Sequence, residues 1–137
     1  MNWVFYALLS AVAAGATAVL AKVGVANVSS NVATAIRVCV ILLFAWAIVL
    51  SRGEAAQLKH VSARSALFLA LSGVATGISW LAYFRALQLA PASRVAPIDK
   101  LSLAVAVLLA GIFLNEPITW RLGLGVALMV LGAALTI

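Results

Sequence analysis

The chain of 137 residues is 66% hydrophobic and only 9% charged, with a mean hydropathy of +1.22. A soluble domain carries about 25% charged residues; this sequence has no material for a polar shell, and its apolar surface must face lipid. The net charge of +6 would suggest nucleic acid in a soluble protein, but in a membrane protein it reflects snorkelling and topology signals, and no nucleic-acid partner is expected.

A spanning helix needs roughly 17–25 mostly apolar residues. The first candidate runs from about Trp3 to Ala21, uncharged until Lys22. No Lys or Arg precedes it, unlike the basic start of a signal peptide, so it is expected to be a mature helix. The second covers about 31–50 and is interrupted only by Arg37. The hydrophilic stretch Ser51 to Ser65, with Arg52, Glu54, Lys59, His60 and Arg64, is expected to be a loop. The apolar run from Ala66 to Leu114 is too long for one span. Pro91-Ala92-Ser93-Arg94 divides it into helices of about 66–89 and 95–114, with proline as the breaker and serine as a cap. A fifth helix is expected over about 118–137, with Pro117 in its first turn and Glu116 near its N-terminus. The expected fold is all-α, a polytopic membrane bundle of five transmembrane helices, forming a single domain over 1–137.

Small residues recur at helical spacing, as Ala11, Gly15 and Ala18, as Gly73 and Gly77, and as Gly125 and Gly132. Such faces let membrane helices approach closely; they also arise by chance in Ala- and Gly-rich helices. Arg52, Lys59, Arg64 and Arg121 fall on one side of the membrane, and Lys22, Arg94 and Lys100 lie close to helix ends on the other. The positive-inside bias gives the N-terminus to the cytoplasm by a small margin, and near-balance of this kind would permit insertion in both orientations.

Ionisable residues at membrane depth are costly and often functional. Two fates are open to Arg37, lining a polar cavity or snorkelling to the headgroups. Ser72, Thr76, Trp80 (or Ser79) and Tyr83 form a polar and aromatic stripe, with Arg85 and Gln88 beyond it. That stripe is either the lining of a substrate cavity or a packing face with an interfacial aromatic belt. Asp99 is the one acid near membrane depth, suited to proton exchange or to pairing with Lys100, Arg94 or Arg85. Pro97 just before it can open the backbone, an ingredient of transporter sites, or can simply mark a helix start. No triad, paired carboxylates or phosphate-binding glycine loop is present, so no enzyme is expected. With one cysteine (Cys39) and one histidine (His60), no disulfide, metal site or cofactor is expected within the chain.

The runs Trp80-Leu81-Ala82-Tyr83-Phe84-Arg85-Ala86-Leu87, Pro91-Ala92-Ser93-Arg94-Val95-Ala96-Pro97-Ile98-Asp99-Lys100-Leu101-Ser102 and Phe113-Leu114-Asn115-Glu116-Pro117 resemble the EamA-like family of the drug/metabolite transporter superfamily. The Pro-Ile-Asp-Lys-Leu-Ser run resembles its short, single-repeat bacterial and archaeal branch, and Arg37 sits where such proteins often carry an arginine. The departure is Asn115, where glycine is more usual. The resemblance implies a five-helix unit, one half of the ten-helix transporters in which two units form an inverted repeat around a cavity. It also implies a dimer, with itself or with a related five-helix partner.

The expected function is a secondary transporter in a prokaryotic inner membrane. It would move a small organic solute by alternating access through Arg37, Trp80, Tyr83, Arg85, Asp99 and Lys100. The excess of basic over acidic groups favours a solute with an anionic group. It disfavours a cation exporter of the small multidrug resistance kind, which uses a glutamate in its first helix; here that helix has no acid. The alternative is a non-transporting membrane subunit or scaffold.

Overall fold

The computed structural model describes residues 2–136. The chain is helical, with no strand among the described residues. Its elements are α1 (Trp3–Gly24), α2 (Ser30–Ser51), a 3-10 helix (Glu54–His60), α3 (Ala63–Leu89), α4 (Ala92–Asp99), α5 (Leu101–Phe113) and α6 (Trp120–Ala134). Trp3–Gly24, Ser30–Ser51, Ala63–Leu89 and the combined stretch Ala92–Phe113 are each long and apolar enough to cross a membrane, and α6 is a shorter apolar helix. This is a small polytopic helical membrane protein. Most of its large apolar side chains lie exposed on the single chain, as expected where lipid or another protein is the solvent.

Side chains at the helix starts explain where the helices begin. Asn2 accepts from the Val4 N–H at 3.2 Å, Ser29 from Val32 at 3.3 Å, Ser62 from Ser65 at 3.1 Å and Thr119 from Leu122 at 3.3 Å. Each satisfies an amide that has no partner within its helix, a need sharpened near hydrocarbon.

The chain divides into two compact units. One is Val23–Gln88, which holds α2, the 3-10 helix and most of α3. Here Gln88 donates from Nε2 to the Val28 carbonyl at 2.7 Å, tying the end of α3 to the turn before α2. The buried residues of this unit are Val25, Thr34, Phe84 and Leu87. Gly53 adopts φ 67° as the chain leaves α2, a conformation glycine enters without steric cost. The stretch over 51–65, expected to be a loop, contains a 3-10 helix over Glu54–His60.

The other unit joins the chain up to Lys22 with the chain from Leu89 onward. Lys22 Nζ donates to the Ala90 carbonyl at 2.9 Å, joining the end of α1 to the connection before α4. The helix expected to begin at Val95 begins at Ala92, with Pro91 as its N-cap, so Ser93 lies inside the helix instead of capping it. This helix is also broken. Pro97 has no N–H to offer the Ser93 carbonyl, and the turn closes at Lys100, whose amide bonds to the Ala96 and Pro97 carbonyls before α5 starts. The last helix starts at Trp120, two residues later than expected, because Thr119 takes the cap. Pro117 therefore stands in the connection, not in the first turn. The helix ends at Ala134, and the expected end at Ile137 lies outside the described residues.

The α5–α6 connection is the tightest piece of this unit. Asn115 has φ 53°, the one non-glycine positive φ among the described residues. Asparagine tolerates the left-handed region better than most residues, so it can stand in this turn. The turn lets the Glu116 N–H reach back to the Ala110 carbonyl at 3.3 Å, which also accepts from Leu114 at 3.0 Å. Ile118 then packs on Gly111, where an added Cβ would stand 2.7 Å from its Cδ1.

Candidate functional site in the α2–α3 groove

Within the unit Val23–Gln88, α2 and α3 are separated by a groove of about 500 Å³, inside the roughly 300–1,000 Å³ range of small-molecule sites. Thr34, Arg37, Val38 and Ile41 line it from α2, and Leu69, Ser72, Gly73, Thr76, Gly77 and Trp80 from α3. On each helix these positions recur at spacings of three and four, which places them on one face.

Arg37 and Trp80 meet across the groove. The guanidinium carbon stands 3.4 Å from the centre of the indole and 6.0 Å from the Phe84 ring. Arginine over an aromatic face at this range is a cation–π contact, strongest where water is excluded. Phe84 and Tyr83, four and three residues on from Trp80, hold its ring by edge contacts at 5.6 and 6.4 Å. Arg37 Nε is buried and makes no hydrogen bond. The one carboxylate of this unit, Glu54, lies beyond the end of α2, 4.0 Å from Arg52. Arg37 is thus a cation at membrane depth with no acid of its own unit beside it. It stands about 10 Å in from the start of α2, at 1.5 Å per residue.

The rest of the lining is quiet. Thr34 Oγ1 donates to the Ser30 carbonyl at 2.8 Å and Thr76 Oγ1 to Ser72 at 2.9 Å, so both hydroxyl protons are spent on their own helices. Gly73 and Gly77 have open space where a Cβ would be. The pair forms part of the groove wall.

The other residues expected at a site fall elsewhere. Arg85 does not line the groove; it is exposed and donates to Gln88 Oε1 at 3.1 Å, near the end of α3. Asp99 and Lys100 belong to the other unit and pair with each other at 3.1 Å. Thr34 also lines the groove; its place three residues before Arg37 is the one signal that could have singled it out. No group of acids, histidines and cysteines able to hold a metal occurs among the described residues.

Helices of this length and composition define a multi-pass membrane protein, and a groove between two of them holds an arginine with no carboxylate in its lining. The whole chain, residues 1–137, matches the EamA-like transporter family, and it belongs to that family. It is 52% identical over 134 residues, 98% of this chain and 95% of the relative, to a Sinorhizobium protein described as an uncharacterized transporter in the cobO 3′ region. No solved structure matches the chain. Family membership points to a transporter rather than an enzyme.

Proposed function

We propose that the protein is a secondary transporter of a small organic anion, working as a dimer by alternating access in a prokaryotic inner membrane. The observation that carries this reading is Arg37, a cation stacked on Trp80 in a groove that offers it no carboxylate. A charge at that depth is costly, and a solute carboxylate or phosphate can supply the missing counter-charge through in-plane hydrogen bonds. Tyr83 and Phe84 fix the indole, and the indole fixes the guanidinium, so the site is ordered before the solute arrives. The open side of the groove supports the dimer in this reading, because a second five-helix unit would close it. Alternating access then requires the two units to rock about a fixed site. Asp99, beside Lys100 and just after the break at Pro97, is the proposed coupling group.

The test is uptake into proteoliposomes of a panel of labelled carboxylates and phosphates, for the wild type and for Arg37→Glu. Charge reversal is expected to abolish uptake of the anions that the wild type carries. Unchanged uptake of every one would end the anion reading. Reporters active on one side only, fused after residue 137, test the dimer. Equal signal from both sides fits an antiparallel pair of identical chains. Signal from one side calls for a parallel pair or a related partner.

A further inference from the structure

We infer that the α2–α3 groove takes a single-tailed amphiphilic anion, its head at Arg37 and its tail lying along Gly77 and Gly73 toward Leu69. This rests on the reading of the groove as the solute site and adds the class of solute. Three observations carry it.

The first is the polarity of the lining along its length. The guanidinium of Arg37 and the indole of Trp80 mark one end. Beyond them come Val38, Ile41, the bare backbone at Gly77 and Gly73 and the single hydroxyl of Ser72, and Leu69 closes the far end. The second is that two of the three hydroxyls in the lining are already used. Thr34 and Thr76 donate to their own helices, which leaves Ser72 as the one hydroxyl of the lining able to donate to a solute. A compact hydrophilic anion would leave its own hydroxyls or amides without partners against this wall, which is unfavourable. The third is length. Trp80 and Leu69 are eleven residues apart on α3, about 16 Å along the helix. With carbon–carbon bonds near 1.5 Å, an extended tail of about ten carbons spans most of that distance. The indole covers one face of the guanidinium, so the head approaches in the guanidinium plane, where its N–H groups point. The open space at both glycines gives the tail its width.

The experiment uses the full chain in phosphatidylcholine nanodiscs and a decanoate carrying a photoactivated diazirine at the end of its tail. Label is expected on the Leu69 end of the groove, and to fall at least tenfold in Arg37→Gln. Unlabelled carboxylates from hexanoate to decanoate should compete with affinity rising up to about fourfold per methylene, and decanol should not compete. Gly77→Leu should block labelling with Arg37 intact; the milder Gly77→Ala, which also meets open space, guards against a folding defect. Label spread evenly over α2 and α3, unchanged in Arg37→Gln, would overturn the inference. So would displacement of the probe by phosphatidylglycerol, which would assign the groove to a lipid headgroup. The two readings fail separately. If Arg37→Glu stops uptake of short anions and no tail label appears, the transporter reading stands alone. If the groove labels as expected and no solute is carried, the site stands and transport falls.

Discussion

Replacing Arg37 with leucine separates what holds the helices from what the groove is for. A charged side chain at the bilayer centre costs about 2.5–3.5 kcal/mol, while a leucine there gains about 0.5 kcal/mol. Arg37 stands seven residues into a 22-residue helix, near enough to the headgroups for snorkelling to relieve part of that cost, leaving about 1–2 kcal/mol. On the other side is its stacking on Trp80 at 3.4 Å, about 2 kcal/mol for a desolvated pair. The two contributions cancel to within about 1 kcal/mol, and no ion pair is broken. Arg37→Leu is therefore expected to unfold near the wild-type midpoint in a detergent–SDS titration, while uptake falls at least tenfold. A loss of about 3 kcal/mol or more, the size seen when one member of a buried charge pair is removed, would refute the reasoning. Arg37 would then be a structural clamp, and the groove would lose its claim as a binding site.

Substitutions around Asn115, Gly111 and Gln88 test the frame. Asn115→Gly is expected to be neutral or to raise stability by a few tenths of a kcal/mol, because φ 53° is free to glycine. Asn115→Val should lose about 1–2 kcal/mol, and both are read from thermal melts in detergent. Gly111→Ala places a Cβ 2.7 Å from Ile118 Cδ1; the expected loss is about 1 kcal/mol, the low end for overpacking because a side-chain tip can turn away. Combining it with Ile118→Val, which removes that methyl, should restore most of the melting temperature, and a purely additive cycle would contradict the packing. Gln88→Ala removes the 2.7 Å bond to the Val28 carbonyl and is expected to cost about 1–2 kcal/mol. Hydrogen exchange should then rise in the turn before α2, and unchanged protection there would count against the tether.

The long apolar stretches were legible because hydrocarbon imposes one length and one composition on every span. Polar starts at Ser29 and Thr119 also fix where α2 and α6 begin, although proline at 117 is the louder signal and drew the expected start too early. The break at Lys100 was harder to see. Pro97 is a normal residue near a helix start, and only the lost Ser93 partner and the turn at Lys100 mark it as an interruption. The groove was half legible. Arg37, Ser72, Thr76 and Trp80 stood out as polar or aromatic residues at membrane depth, but their meeting across two helices has no sequence pattern. Gly73 and Gly77 suggested a packing face, since the same spacing arises whether a helix lies on the glycines or leaves them bare. Arg85 could not be told from Arg37 by composition; its tie to Gln88 at the helix end is a matter of geometry.

So few side chains are buried within the single chain that its cohesion is largely an external matter. In water, shielding apolar surface would drive the helices together; among acyl chains that force is absent, and what remains is close packing and hydrogen bonding. The helices are then held by whatever neighbours they meet. Where those neighbours are lipids, stability follows the thickness and composition of the bilayer. Where they are protein, it follows surface density, because mass action applies in two dimensions as it does in three. Where a second copy is the neighbour, the number of copies in the membrane is itself a thermodynamic variable, and expression level sets the assembled fraction.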